Sequence, residues 1–244
     1  MFAHVTIRVY NRSAAERFYR TVLGSIGIEP SHDRTDIVAW DDYALIAADA
    51  AHPPTRRLHV GFVAPSREDV DRFWQAGVSA GYADAGAPGE RTIYKPDYYG
   101  AFLFDPDGNS IEAVHHDDTR RGGDIDHLWI AVSDLAAAEA FYKTVSRHTG
   151  LRDGRHWEGG AQFVGAWATF SLICDGRPPT EYLHIAIPAP DRTTVAQFHA
   201  AAIAAGYLDN GGPGERPQYG AGYYAAFVLD PDGTNVESVR YGSA

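Results

Sequence analysis

Six side chains of metal-binding type recur at matching positions in this sequence. Four short apolar runs begin with a histidine or carry one at the second position. Two other runs carry a glutamate four residues after the glycine of an Asp-Pro-Asp-Gly turn. The six residues are His4, His59, His127, His184, Glu112 and Glu237. Two imidazoles and one carboxylate suit a divalent metal and leave coordination positions open for water and substrate.

The alternation within each run predicts which way these side chains face. In a β-strand, successive side chains point to opposite faces. In HVTIRV, LHVGFV, HLWIAV and LHIAI the histidine lies opposite the aliphatic face. In SIEAV and NVESV the glutamate shares a face with the first and last residues of the run. We expect the aliphatic faces to pack on helices and the histidine and glutamate faces to line a cavity.

Each glutamate follows a predicted β-hairpin. Residues 102–114 read FLFDPDGNSIEAV and residues 227–239 read FVLDPDGTNVESV. Proline pre-sets φ and glycine tolerates positive φ, so Asp-Pro-Asp-Gly is typical of a turn between two strands. The hairpin fixes where the second strand begins, and the alternation then directs the glutamate inward with the histidines.

The chain consists of two copies of one sequence unit. When residues 58–114 are aligned with residues 183–239 without gaps, 28 of the 57 positions are identical. The N-terminal parts also align, HVTIRV with HLWIAV and AERFYRTV with AEAFYKTV. The polar stretch DDTRRGGD (117–124) is typical of a linker. We therefore expect a first domain at 1–119 and a second at 124–244.

Each copy contains the same order of elements twice. After the strand HVTIRV, apolar residues from Ala15 to Leu23 follow the spacing of an amphipathic helix. Ser13 and Glu16 could form a capping box at its start. Short strands follow, and the order restarts with LHVGFV and a helix from about Ser66. The sequence thus predicts an α+β protein of four βαβββ modules.

The net charge, hydropathy pattern and cysteine count of the chain restrict the kinds of molecule that it could bind. The net charge of −11 argues against a nucleic-acid partner, which would need a basic surface. No apolar run reaches the ~18–20 residues of a membrane span, and the N-terminus lacks a signal-peptide pattern. Cys174 is the only cysteine, which excludes an intramolecular disulfide and a thiolate metal cluster. We expect a cytoplasmic protein with a small-molecule substrate and no membrane partner.

These motifs resemble the vicinal oxygen chelate superfamily, also called the glyoxalase/bleomycin resistance/extradiol dioxygenase group. The resemblance rests on His-x-x-Ile-x-Val, Phe-Tyr, Leu-His and Asp-Pro-Asp-Gly-x-x-x-Glu, and it covers both copies. It implies two tandem glyoxalase-like domains whose paired modules form curved mixed sheets around a metal site. The ligands that it implies are His4, His59 and Glu112 in one half, and His127, His184 and Glu237 in the other.

The resemblance implies a metal-dependent enzyme that acts on a small oxygenated or aromatic molecule, in a dioxygenase-like or lyase/isomerase-like reaction. It does not distinguish Fe(II), Mn(II), Zn(II) or Ni(II). Glyoxalase I has a fourth, carboxylate ligand, whereas the corresponding runs YALIAA and FSLICD are apolar at their centres. Extradiol dioxygenases use two histidines and one glutamate, but they usually carry a tyrosine where Phe102 and Phe227 stand.

The PGER-x-x-Tyr segments before the hairpins supply further candidates. An arginine could bind an anionic substrate oxygen, and a tyrosine could donate hydrogen bonds or act as an acid or base. The candidate catalytic residues are Arg91, Tyr94, Tyr98, Arg216, Tyr219 and Tyr223. Alternatively, the segment is a structured loop in which the arginine pairs with Glu90 or Glu215 and the tyrosine rings pack.

Several alternatives remain open from the sequence. The chain could be a metal-free protein that binds a small molecule such as an antibiotic. One site could be active and the other a relic, because the second copy has Trp129 where the first has Thr6. Each site could form within a half or between halves, and the protein could be a monomer or a homodimer. His116 and His199 lack a histidine at the matching repeat position, so we expect them to be packing or surface residues.

Overall fold

The computed structural model describes residues 1–118 and 122–242. Residues 119–121, which include the end of the first expected domain and the centre of the expected linker, lie outside the described residues. The chain forms two compact units. One contains Met1–Val5 with Ile130–Ala244, and the other contains Thr6–Trp129.

Four βαβββ modules follow one another along the chain, which confirms the expected fold class. The first contains β1 (His4–Val9), α1 (Arg12–Gly24), β2 (His32–Asp33), β3 (Ile37–Ala39) and β4 (Tyr43–Ala47). The second contains β5 (Leu58–Val63), α2 (Arg67–Ser79), β6 (Asp84–Glu90), β7 (Tyr99–Phe104) and β8 (Ser110–His115). The third contains β9 (Ile125–Ala131), α3 (Leu135–Ser146), β10 (Arg152–Trp157), β11 (Gly160–Val164) and β12 (Thr169–Ile173). The fourth contains β13 (His184–Pro188), α4 (Arg192–Ala204), β14 (Leu208–Glu215), β15 (Tyr224–Leu229) and β16 (Asn235–Arg240).

The strands form two mixed sheets of eight strands each. Their orders are β14-β15-β16-β13-β1-β4-β3-β2 and β10-β11-β12-β9-β5-β8-β7-β6. The pairs β5 with β8 and β13 with β16 are parallel, while the hairpin pairs β7 with β8 and β15 with β16 are antiparallel. Each glutamate strand therefore lies between a parallel histidine strand and its own hairpin partner.

The first helix buries the face that the sequence predicts, but it begins earlier than expected. Phe18 and Tyr19 of α1 are fully buried. The expected capping box of Ser13 with Glu16 is wrong, because the side chain of Asn11 accepts the hydrogen bond from the backbone N–H of Ala14. Asparagine is a favoured N-cap residue, so the helix starts two residues before the position that Ser13 would set.

The helix expected from about Ser66 is α2, and Ser66 is its N-cap. Its hydroxyl accepts a hydrogen bond from the backbone N–H of Asp69, and Val70 and Phe73 are fully buried. No α-helix in the described parts of the chain combines the length and the apolar character needed to span a membrane.

The first aspartate of each Asp-Pro-Asp-Gly turn ties the hairpin to the helix of another module. Asp105 Oδ1 accepts from the backbone N–H groups of Asp107 and Asn109, at 2.9 and 2.8 Å. Asp105 Oδ2 accepts from the hydroxyl of Tyr19 at 2.9 Å. In the second copy, Asp230 accepts from the hydroxyl of Tyr142 at 3.0 Å. One buried carboxylate thus shapes the turn and anchors the strand that follows it.

We expect Asp105→Ala to destabilise the protein by roughly 2–4 kcal/mol, because it leaves the buried Tyr19 hydroxyl and two turn N–H groups without their acceptor. Denaturant unfolding measures this loss. Asp107→Ala is the matched control within the same turn, since its carboxylate accepts from the backbone N–H of Tyr10 in an exposed contact. Equal losses for the two variants would contradict the anchoring role of Asp105.

The buried carboxyl group of Asp42 has a pKa above the usual value for aspartate. Asp42 is 6% exposed, and its Oδ1 accepts from the backbone N–H groups of Asp124 and Ile125. Burial is the main reason that the pKa of Asp42 rises from 3.8 to about 6. The carboxylates of Asp124 and Asp41 add repulsion, while the two backbone hydrogen bonds oppose the rise.

This pKa predicts a pH-dependent stability difference between the wild type and Asp42→Asn. Because the folded-state pKa lies above the unfolded value, ionisation favours the unfolded state, and wild-type stability falls as the pH rises from about 4 to about 6. The stability advantage of the variant should grow by roughly 2 kcal/mol between pH 4 and pH 8. Denaturant unfolding across this range tests it, and a constant difference would refute it.

Candidate functional site

His59, Glu112 and His127 converge in the unit formed by Thr6–Trp129. The Nε2 atoms of His59 and His127 are 3.0 Å apart. They lie 3.1 and 3.2 Å from Oε2 of Glu112. Glu112 is 1% exposed and the His127 side chain is 5% exposed, whereas the His59 side chain is 19% exposed. The group therefore opens toward solvent on the His59 side.

Strand register and a glycine bring these three side chains together. In the parallel pair of β5 and β8, His59 lies opposite Ser110 and Gly61 lies opposite Glu112. The imidazole of His127 occupies the space above Gly61, where a Cβ atom would lie 2.2 Å from its Cε1 atom. Glycine inside a strand often marks such a close approach. A side chain at position 61 would therefore displace the His127 ring.

Each of the three side chains has a further hydrogen-bond partner. Oδ1 of Asp126 lies 3.0 Å from Nδ1 of His127, and Oγ of Ser110 lies 2.9 Å from Nδ1 of His59. The hydroxyl of Tyr98 donates to Oε1 of Glu112 at 2.7 Å. One carboxylate oxygen is thus held by the phenol, and the other faces the two imidazoles.

The hydrogen bonds set the protonation of this group. Burial opposes protonation of His127, but its hydrogen bonds to Asp126 and Glu112 outweigh burial and raise the pKa of His127 to about 9. Burial likewise opposes ionisation of Glu112, yet the hydrogen bonds from His127 and His59 lower the pKa of this carboxyl. Burial and the charge of Glu112 raise the pKa of Tyr98, so its phenol stays a donor.

The second group consists of His4, His184 and Glu237, in the unit formed by Met1–Val5 and Ile130–Ala244. The Nε2 atoms of the two histidines are 3.1 Å apart. Oε2 of Glu237 lies 3.0 Å from Nε2 of His184 and 3.5 Å from Nε2 of His4. Both histidine side chains are 21% exposed, and Glu237 is 1% exposed.

The partners of this second group differ from those of the first. The hydroxyl of Tyr223 donates to Oε1 of Glu237 at 2.7 Å, which repeats the arrangement of Tyr98. Nδ1 of His4 lies 3.0 Å from the hydroxyl of Tyr241. Burial and the neighbouring His184 lower the pKa of His4 to about 4, although Glu237 opposes this change. His4 is therefore neutral at physiological pH.

The structure groups the six expected ligands differently from the grouping that the resemblance implied. The resemblance implied one ligand set from each half, with His4 beside His59 and Glu112. That grouping is wrong, because His4 lies with His184 and Glu237, and His127 lies with His59 and Glu112. The strand orders give the reason, since β1 lies beside β13 and β9 lies beside β5.

The donor atoms of both groups fit a divalent cation. Three donors about 2.1 Å from one ion are separated by about 3.0 Å at octahedral angles and about 3.4 Å at tetrahedral angles. The separations are 3.0, 3.1 and 3.2 Å in one group and 3.0, 3.1 and 3.5 Å in the other. Both sets contain two imidazole nitrogens and one carboxylate oxygen, which suit Fe(II), Mn(II), Zn(II) and Ni(II).

Two of the four tyrosines expected in catalysis contact the glutamates, and the other two lie beside those tyrosines. Tyr98 and Tyr223 contact the glutamates directly. Tyr94 lies beside Tyr98, with ring centroids 5.2 Å apart, and also contacts the indole of Trp129. Tyr219 lies 5.2 Å from Tyr223 and is 58% exposed.

The two arginines stabilise their own loops. Arg91 donates to the backbone carbonyl oxygen of Ala87 at 2.7 Å and lies over the ring of Phe102. Arg216 makes the equivalent contacts with Gly212 and Phe227. The alternative pairing with Glu90 or Glu215 is wrong, because their carboxylates pair with Arg67 and Arg192.

Three residues near the groups were missed from the sequence. Asp126 and Tyr241 contact the candidate ligands His127 and His4. His116 is a packing residue as expected, since it is 4% exposed and stacks on Tyr98, but its Nε2 also lies 3.0 Å from Oδ2 of Asp126, a contact that was not expected. The sequence feature that could have indicated this contact is the position of Asp126, a carboxylate directly before His127.

The chain resembles known proteins in the sequence of its first half and in its fold. Residues 1–113 match the family described as the Glyoxalase/Bleomycin resistance protein/Dioxygenase superfamily. No curated protein matches the chain in sequence.

Solved structures share the fold along nearly the whole chain. Glyoxalase I from Zea mays is 18% identical, with a TM-score of 0.69 over 98% of this chain and 92% of that protein. A Bacillus subtilis protein provisionally assigned as a dioxygenase is 13% identical, with a TM-score of 0.68 over 100% of this chain and 86% of that protein. At these identities the likeness establishes the fold and no activity.

Proposed function

Because residues 1–113 match the glyoxalase/bleomycin resistance protein/dioxygenase superfamily and the whole chain has its fold, we propose that the protein is a divalent-metal-dependent enzyme acting on a small oxygenated or aromatic molecule. The observation that carries this proposal is the convergence of two imidazole nitrogens and one carboxylate oxygen, twice, within 3.5 Å of one another. Three protein donors leave coordination positions open for two neighbouring substrate oxygens.

Between the two reaction classes, the donor set favours a dioxygenase-like reaction. Two histidines and one carboxylate with open positions are the arrangement typical of non-haem Fe(II) oxygenases. The strands that would carry a fourth, carboxylate ligand, β4 and β12, read YALIA and TFSLI and contain no carboxylate. A bound divalent ion would supply positive charge for the substrate oxygens, and Fe(II) would also supply redox chemistry.

The chain's own residues take separate roles in this proposal. Tyr98 and Tyr223 are positioning residues, because each holds one glutamate oxygen and leaves the other facing the histidines. Tyr94 and Tyr219 are the candidate substrate-binding phenols, since each is partly exposed beside a positioning tyrosine. Burial and Glu112 raise the pKa of Tyr94, which keeps its phenol a hydrogen-bond donor at neutral pH.

Arg91 and Arg216 remain candidates for binding an anionic substrate oxygen. Each guanidinium lies over a phenylalanine whose ring is near a ligand histidine, 6.0 Å from His59 for Phe102. Their hydrogen bonds to backbone carbonyl oxygens also stabilise the loop that carries Tyr94 or Tyr219. We therefore give the tyrosines priority as substrate contacts.

Metal content tests the proposal directly. Chelator-treated protein that is reconstituted without oxygen with Fe(II) or Mn(II) should bind two ions per chain, one for each group. Glu112→Gln and Glu237→Gln should each bind one, because each removes a charged ligand while keeping the side-chain shape. Elemental analysis gives the count, and Glu90→Gln, an exposed carboxylate paired with Arg67, should still bind two. A chain that takes up none of Fe(II), Mn(II), Zn(II) or Ni(II) would refute the proposal.

A substrate screen tests the reaction class. We expect the Fe(II)-loaded protein to convert a member of a catechol and α-hydroxycarbonyl panel with consumption of dioxygen, measured with an oxygen electrode. Conversion without oxygen uptake would instead support the lyase/isomerase class. Tight binding that is unchanged in the Glu112→Gln, Glu237→Gln double variant, without conversion, would support the metal-free binding protein.

A further inference from the structure

The two groups contain the same residue types, but the Nδ1 atoms of His127 and His4 have different hydrogen-bond partners. Nδ1 of His127 is 3.0 Å from a carboxylate oxygen of Asp126. Nδ1 of His4 is 3.0 Å from the neutral hydroxyl of Tyr241. When the repeats are aligned, Ala3 stands at the position of Asp126. The group of His59, Glu112 and His127 therefore has an additional carboxylate, that of Asp126, whereas the matching position beside His4 is occupied by Ala3.

Asp126 is itself held in place. It is 4% exposed, and its two carboxylate oxygens are engaged separately, Oδ1 with His127 and Oδ2 with Nε2 of His116, each at 3.0 Å. A carboxylate that accepts from Nδ1–H fixes the imidazole tautomer and its orientation, so that the lone pair of Nε2 faces the metal position. It also raises the basicity of that nitrogen.

The other histidines, His59 and His184, also differ in the hydrogen-bond partner of Nδ1. Nδ1 of His59 has Oγ of Ser110 at 2.9 Å. Nδ1 of His184 is buried and has no hydrogen-bond partner among residues 1–118 and 122–242. The glutamates do not differ in this respect, because Tyr98 and Tyr223 hold them at the same distance. The two groups therefore differ in how firmly their histidines are oriented.

We propose that the two metal sites have unequal affinity, and that Asp126 is the positioning residue that makes the site of His59, Glu112 and His127 the tighter one. This proposal rests on the metal-dependent function proposed above. The tighter site has a second carboxylate 3.0 Å from a ligand ring, which favours a cation, and both of its histidines have a partner at Nδ1. At the site of His4, His184 and Glu237, one Nδ1 faces a neutral phenol, and the other has no hydrogen-bond partner within the described part of the chain.

Single-site proteins allow each affinity to be measured alone. Glu237→Gln should leave the site of His127, and Glu112→Gln should leave the site of His4. Co(II) is the probe, titrated into each metal-free protein in competition with a chromophoric chelator. We expect a lower Kd in the Glu237→Gln protein. Equal Kd values, or a lower Kd in the Glu112→Gln protein, would overturn the proposed inequality.

Substitution of Asp126 tests the cause. In the Glu237→Gln protein, Asp126→Asn should raise the Kd for Co(II) by about 10- to 100-fold and shift the visible absorption of the bound ion. In the Glu112→Gln protein the same substitution should leave the Kd unchanged. The matched variant there is Tyr241→Phe, which removes a neutral hydrogen bond and should raise the Kd by only about 2- to 10-fold.

A structural role for Asp126 would give a different result. Asp126→Asn removes a buried charge that faces His127 and His116, so we expect the thermal unfolding temperature of the metal-free protein to fall in both single-site proteins, whereas the affinity for Co(II) falls only in the Glu237→Gln protein. An unchanged Kd, or a Kd that rises equally in both single-site proteins, would overturn the role of Asp126. Absence of Co(II) uptake by every protein would overturn the metal-dependent function together with this inference.

Discussion

A carboxylate withdrawn from water must be matched by hydrogen-bond donors or positive charge, and both candidate sites are built around such a group. Glu112 and Glu237 are each 1% exposed. The hairpin places each glutamate in the interior whether or not a metal is bound. A phenol then satisfies one oxygen and two imidazoles face the other. The residues that balance the buried charge are therefore the same residues that could bind a cation.

The two repeats have the same candidate ligand residues but differ in the residues that surround them. Gly61 and Gly100 lie beside His127 and Glu112, whereas Ala186 and Ala225 stand at the matching positions of the other copy. A Cβ atom at either glycine would lie less than 2.5 Å from a ligand side chain. The two candidate ligand sets are therefore chemically alike, but glycines lie beside one set and alanines stand at the matching positions of the other.

Periodicity in the sequence was sufficient to predict the four modules, because alternation and helical spacing are local properties of each segment. It also placed the histidines and the glutamates on the faces that meet in the structure. The grouping of the ligands could not be predicted, because alternation does not specify which strand lies beside β1 or β9. Asp126 was missed because alternation directs neighbours in a strand to opposite faces, yet its carboxylate reaches Nδ1 of His127. The helix cap was missed because Asn11 precedes the pattern that marks the helix.

The crossed origin of the ligands makes the two sequence repeats dependent on each other. A cut between the repeats would separate His4 from His184 and Glu237, and would separate His127 from His59 and Glu112. Neither fragment would contain a complete site. A protein with a single repeat would have to obtain its third ligand from another molecule, and its sites would be lost on dilution. Continuity of the chain supplies that ligand at a high effective concentration, so the sites of the fused protein assemble at any dilution.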